Sequence, residues 1–491
     1  MSSKIANIGE LSNILSDNNK TDKGVLHFAK TFKIGHLLAI FNTFKSKGIG
    51  VSVLLTSLII FRLRGLNVCQ MVASPLSFLP KIDDNTFYRL MNNGWMDWRK
   101  LLIGFAKQFI SITKEKGDQN NGIKCFVIDD TDLVKTGTTI EFISRIFSHV
   151  TKTYPLGFKM LLLAYWDGKS LIPFDFSMHR EEGKKGNYGL TTKELKSQYQ
   201  KKRSTKTPSY NRVKEVDSKK TENAIAMIKR ALKHGIEVSY VLMDSWFIND
   251  YVIKSIRSLK NKSIHVLGMC KIDKRNYTFD GKLQNANQLI IKNENKLGRY
   301  SKLYRSHYIS LIADYKGEKV RLFFIKYNKS KTYTLLLTTD LRLSFVKAIE
   351  LYQIRWTIEV LFKECKQYLR LGRSQNTNFD GQIADATLTL VTHIILSLQK
   401  RFESYETMGD IFRATQQKLL ELTLWERLIK VLMKLITELL EIICVDIEEI
   451  MEKLMQNNKA SNWLQAILQD MSGFLDNPEK STKSDIALTC Y

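Results

Sequence analysis

Six cysteines (Cys69, Cys125, Cys270, Cys365, Cys444, Cys490) are scattered along the chain without a Cys-x-x-Cys pair. That excludes a zinc ribbon and a disulfide frame, and leaves reduced structural thiols. The eight histidines are equally dispersed and no His-Glu-x-x-His occurs. Asp167-Gly168-Lys169-Ser170 ends like a phosphate loop, but position 163 is Leu where that motif requires glycine, so ATP is not implied. The stretch reads instead as a hairpin turn. No apolar run is long enough to span a bilayer. The best, Val51 to Phe61, ends at Arg62 and Arg64. The first residues, MSSKIANIGELSNILSDNN, contain no apolar signal core. A cytoplasmic protein with no membrane partner is expected.

What the sequence holds in excess is positive charge. Lys plus Arg number 75 against 49 Asp plus Glu, a net +26. A balance this basic favours a polyanionic partner, with nucleic acid first. Hydrophobic residues make up 44%, so the chain is globular, and 491 residues leave room for several domains.

Along the chain, Thr31 to Lys47 and Val51 to Leu63 have helical periodicity, and Pro75 and Pro80 mark a loop. Asp83-Asp84-Asn85-Thr86 offers a cap for the helices that follow, where Tyr88, Arg89, Trp95, Trp98, Arg99 and Lys100 set bases beside aromatics. Residues 1–115 therefore read as a helical domain, either for DNA binding or purely structural. After a polar linker, Lys114 to Gly122, the pattern switches to strands. Lys124 to Asp130 is an apolar run ending in acids, and Phe158 to Trp166 and Leu171 to Phe176 flank the Asp167-Gly168 turn. A lysine-rich stretch, about 180–220, is either a solvated mobile loop or a segment that orders on DNA backbone. A helix over Thr221 to His234 precedes Val238 to Asp244, a second apolar strand ending in acid, and then Ser263 to Lys271. Residues 273–331 read as a β-rich insertion between the two parts of an α/β core, 116–272 and 332–400. Beyond Arg401, Lys418 to Val445 and Ile447 to Gln456 are amphipathic and acidic, suited to self-association or to packing on the body.

Ser344 to Gly372 has the composition of one helix, with Ser before it and Gly after it. At 100° per residue, Tyr352, Arg355, Glu359 and Lys366 fall within an arc of about 60°, and Lys363 and Arg370 extend that basic face. Arg355 and Glu359 read alone as a surface i,i+4 ion pair. As a set, one carboxylate among cations and a tyrosine reads as a metal ligand beside a phosphate track. Asp129, Asp130 and Asp244 at strand ends can converge on it, and three oxygen donors suit Mg²⁺ or Mn²⁺. Two such ions activate water and stabilise the leaving oxygen in phosphodiester cleavage.

Tyr352-x2-Arg355-x3-Glu359-x6-Lys366 resembles the YREK signature of bacterial DDE transposases of the insertion-sequence-4 family. Ile128-Asp129-Asp130-Thr131 resembles the strand carrying their first acid, and Val241 to Phe247 their second-acid block. The resemblance covers about residues 120–375. It implies an α/β, RNase H-like catalytic core with helical domains at both ends. It also implies metal-dependent cleavage of transposon ends and strand transfer into target DNA. Asp129, Asp244 and Glu359 would hold two Mg²⁺ or Mn²⁺ ions, with Asp130 the alternative first ligand. Tyr352, Arg355, Lys363, Lys366 and Arg370 would hold DNA. The partners would be double-stranded terminal inverted repeats, target DNA and a second copy of the chain. A nuclease without strand transfer and an inactive DNA-binding derivative are the alternatives. Some relatives stack a flipped base on a tryptophan of the insertion. This chain has no Trp between Trp246 and Trp356, so Tyr300, Tyr304, Phe323 or Trp246 would take that part.

Overall fold

The apolar runs form the centre of one large mixed sheet. Strands β1 (Cys125–Val134), β3 (Leu156–Trp166) and β4 (Leu171–His179) form an antiparallel set, with β3 and β4 joined by the expected Asp167-Gly168 turn. A two-residue strand, β2 (Ser144–Arg145), lies beyond β3. On the other side of β1 run β5 (Tyr240–Met243) and β6 (His265–Cys270), both parallel to it. All nine residues of β4 and all four of β5 are buried, because helices cover both faces; this is why these strands are continuous apolar runs rather than alternating ones. The order β4-β3-β1-β5-β6, three antiparallel strands followed by two parallel ones, is an RNase H-like core.

Residues 49–73, 82–116, 122–328, 330–402 and 407–413 are described in this computed structural model of the protein. The helix expected over Thr31 to Lys47, the loop at Pro75 and Pro80, and the C-terminal helices from Lys418 onward lie outside them, as do Cys444 and Cys490. Two compact units are present. One comprises Leu37–Val68 and Asp83–Ile411; all that follows concerns it. The other holds the termini and Cys69–Ile82, of which only part of the short helix α2 (Val68–Ala73) and a few further residues are described.

Helices α1 (Val51–Leu63), α3 (Asp84–Met91) and α4 (Trp98–Glu115) pack with the long α12 (Phe379–Phe402), and α4 and α12 lie on β4. Asp83 and Asp97 cap α3 and α4 by accepting backbone N–H bonds. Contrary to the expectation that no apolar run is long enough to span a bilayer, α12 is long and apolar enough, the one such helix among the described residues; but Phe379 through Leu398 are buried without interruption, so it is a core helix.

The lysine-rich stretch is not loose. It folds into α5 (Thr192–Ser197) and α6 (Pro208–Val216), followed by α7 (Lys220–Lys233). Arg203 forks onto Glu141 at 2.7 and 2.6 Å, and Lys201 reaches Asp380 at 2.7 Å, so partners distant in sequence hold it against the body. Strand β5 leads through α8 (Asp250–Arg257) to β6.

The insertion contributes β7 (Asn276–Phe279), β8 (Lys282–Asn285), β9 (Gly298–Ser301), β10 (Ser306–Tyr315) and β11 (Glu318–Tyr327). It also contains a helix, α9 (Ala286–Leu297), that its polar sequence concealed. The chain returns through β12 (Thr334–Thr338), which joins β11 to β6 and makes the insertion continuous with the core sheet.

Candidate functional site

The parallel pairing of β1 and β5 sets the first two acids side by side. Ile128 pairs with Met243, so Asp129 and Asp244 are the next residues on neighbouring strands, about 4.8 Å apart in backbone spacing. The charge of Asp244 is felt at Asp129 and at Tyr352.

The expected single helix is two. Helix α10 (Phe345–Gln353) ends before Ile354, and α11 (Trp356–Gln367) begins after Arg355. The backbone N–H groups of Ile354, Arg355, Thr357 and Ile358 each bond three residues back, a tightened 3₁₀ turn that a 3.6-residue period does not register. Arg355 sits in that turn. Its guanidinium lies 3.1 Å from Asp129 Oδ2 and 2.7 Å from Glu359 Oε1. The i,i+4 pair therefore exists, but its cation also reaches the sheet. The Nε of the same side chain is buried and has no acceptor among the described residues.

Alternation along β1 separates the two candidate first acids. Asp129 and Thr131 face α11, where Thr131 accepts a 2.7 Å bond from Lys366 Nζ. Asp130 meets Lys220 of α7 instead, and the Lys220 ammonium lies 4.2 Å from the ring centre of Trp246. Lys220 and Thr131 belong to the site's surroundings; in the sequence Lys220 reads only as part of the lysine-rich stretch, and Thr131 only as a member of the first-acid block. The signal for Thr131 was its two-residue spacing from Asp129.

Burial is the largest influence on Asp129, pushing its carboxyl up to about 7; Asp130 and Asp244 add to this, while the Asp130 N–H and Arg355 oppose it. Burial also works against the charge of Arg355, yet Tyr352, Glu359 and Asp129 hold it above its ordinary value. Burial raises Tyr352 to about 12 and lowers Lys366.

Tyr352, Arg355, Glu359 and Lys366 are thus brought to the β1–β5 end with Asp129 and Asp244. Lys363 is exposed on α11. Arg370 is not gathered with them: it lies past the helix end at φ 61°, and its guanidinium donates to the Gly65 carbonyl at 3.0 Å. Of the aromatic residues considered for stacking, Phe323 is 1% exposed and packs against Phe345, so it presents no face to a base. Tyr300 and Trp246 are exposed.

Among the described residues no preformed group of three acids, histidines or cysteines is close enough to cage an ion. The donor chemistry nevertheless fits a hard divalent cation. All donors are carboxylate oxygens, and a guanidinium already stands in for a cation between Asp129 and Glu359.

Two family models match the chain. Residues 191–395 match the transposase DDE domain, and residues 50–267 match the DDE superfamily endonuclease. The first span contains Asp244 and Glu359, the second Asp129 and Asp244, and both contain Asp244. No curated protein matches the chain. The two matches support a DDE-type transposase or endonuclease.

Proposed function

We propose that the protein is a DNA transposase of the insertion-sequence-4 type, which cleaves transposon ends and joins them to target DNA. The observation that carries this reading is the Arg355 bridge from Asp129 to Glu359, beside Asp244 and with Lys366 and Tyr352 on the same side. It supports the YREK reading of Tyr352, Arg355, Glu359 and Lys366.

In this reading Asp129, Asp244 and Glu359 hold divalent ions, Mg²⁺ or Mn²⁺. When bound, these would neutralise charge on the scissile phosphate and acidify the attacking water. Asp129 is preferred over Asp130 because Asp130 is engaged by Lys220 on the other face of β1. Arg355 orients the two carboxylates through its guanidinium contacts to both. Lys366, Tyr352 and exposed Lys363 hold backbone phosphates on either side. Two copies synapse the ends, in the nucleoid.

Nicking of the element's terminal repeats by the full chain with Mg²⁺ tests the reading. Glu359→Gln should abolish nicking and leave DNA binding intact; undiminished nicking by that variant would refute it. The match to an endonuclease family favours one rival, a nuclease that cuts without joining. Pre-cleaved ends separate the two, since only a transposase yields joined product. Activity of the wild type over Asp244→Asn excludes an inactive derivative.

A further inference from the structure

The stretch from Arg180 to Lys202 holds seven basic residues against three acids. Lys184, Lys185, Lys193, Lys196 and Lys202 are exposed, and none has a carboxylate partner among the described residues. Two of the acids are turned to backbone instead. Glu181 accepts the Phe147 N–H at 2.8 Å, and Glu194 accepts that of Thr191 at 2.7 Å. Only Glu182 is left exposed beside the five lysines. By contrast, exposed Lys316 and Lys347 lie 3.3 and 3.0 Å from Asp250 and Glu350.

The fold holds these like charges in place. The Arg145 N–H donates to the Tyr188 carbonyl at 2.9 Å and the Tyr199 N–H to the Thr139 carbonyl at 2.8 Å. Gln198 Nε2 reaches the Ile143 carbonyl at 2.9 Å, and the Arg203–Glu141 fork closes the far end. Gathering like charges costs self-repulsion, and a buried ion pair adds little net stability to offset it. A polyanion laid along the lysines would remove that cost.

Topology sets this ledge at the acid end of the sheet. Lys159 of β3 pairs with Asp132 of β1 on one side and with His179, the last residue of β4, on the other. The stretch therefore leaves the sheet level with Asp132, just past Asp129 along β1. The chain comes back to the sheet at Lys220, which Asp130 holds.

We propose that the five lysines form a preformed track for the backbone of target DNA, leading to the acid site. Lysine presents a point charge to phosphate and reads no base edge, so the track suits a duplex of no fixed sequence. For a transposase that duplex is the target, whereas the element's own ends carry a sequence to be recognised. The inference rests on the transposase reading above.

The test replaces all five lysines by glutamine in the full chain, leaving the Lys201 and Arg203 anchors in place. At about −0.9 per phosphate contact, the salt slope for a duplex of arbitrary sequence should shrink by about four. Lys193→Gln with Lys196→Gln, both on α5, should give about two of those units. Joining of pre-cleaved ends to a target plasmid should drop at least about tenfold in the fivefold variant, and nicking of terminal repeats should drop less. An unchanged melting temperature reports that each variant is folded. If the wild type joins ends and both variants match it in joining, affinity and slope, the track is overturned and the transposase reading stands. Equal losses in joining and nicking would put the track under the element's ends and overturn target DNA as its occupant. If the wild type joins no ends, the transposase reading itself fails, and target DNA is overturned with it.

Discussion

The Arg355 guanidinium stands 3.1 Å from Asp129, from a tightened turn 226 residues further along the chain. Both side chains are mostly buried, 12% and 16% exposed. A pair so placed is worth little as surface charge, and costly to break from one side, because the remaining ion is stranded in a low dielectric.

Arg355→Ala should therefore cost about 2 kcal/mol of stability at pH 8. The cost should shrink near pH 5. The pair exists only when Asp129 is ionised, and with its carboxyl at about 7 it carries a proton below that pH. Urea denaturation of wild type and variant at the two pH values measures the difference; an equal loss at both would show that Asp129 is not the partner that matters. DNA cleavage should fall about 10²–10³-fold, as when one preorganised charge is removed from a transition state.

The central strands were legible because burial on both faces demands unbroken apolar residues, and β5 ends where its acid begins; β1 instead runs on to Val134, so Asp129 and Asp130 lie within the strand and not at its expected end. The face shared by Tyr352, Arg355, Glu359 and Lys366 was legible from helical spacing, even though a 3₁₀ turn divides the helix. What the sequence hid was tertiary. Nothing local to Arg203 announces Glu141 or Asp380, so a stretch tied to the body reads as loose. Helix α9 is polar enough to pass for turn, although Asn285 and Gln288 form a capping box at its start. Arg370 lies on the basic face by spacing, but α11 ends at Gln367 and the chain has turned before it.

Ion binding should depend on pH through Asp129. Its folded carboxyl, at about 7, lies above the unfolded value of about 3.9. Ionising it thus costs stability as pH rises from about 4 to 7, and a bound cation removes that cost. Below pH 7 an ion must displace the proton, so Mn²⁺ affinity should climb about tenfold per pH unit and level off above it. Calorimetric titration in buffers of different ionisation enthalpy would count the released proton. A pH-independent affinity between about 5.5 and 8 would remove Asp129 from the ligand set.

Gly268 of β6 pairs with Met243, the residue before Asp244. A Cβ at position 268 would stand 2.6 Å from the Met243 carbonyl oxygen and 2.7 Å from Ile248 Cδ1. The isoleucine can turn; the backbone oxygen of a central strand cannot move alone. Gly268→Ala should therefore lower stability by about 3 kcal/mol and shift the end of β5. Cleavage per folded molecule should fall as well, since Asp244 moves with it. Chemical denaturation paired with a nicking assay separates these effects, and a variant with wild-type stability would show that the strands tolerate the methyl group.

Arg203 and Glu141 are the firmest anchor of the lysine-rich stretch. Their side chains are 5% and 4% exposed, and Glu141 also accepts the N–H groups of Lys201 and Phe379, which ties the segment to the start of α12. Arg203→Ala leaves Glu141 buried and unpaired and should cost about 3 kcal/mol, whereas adding Glu141→Gln removes the stranded charge and should recover about half of that. Loss of the anchor frees the exposed lysines between residues 184 and 202, so trypsin should cut there at concentrations that leave wild type whole. Equal losses in the single and double variants would mean that the segment is held by Lys201, Ser209 and Asp380 rather than by this fork.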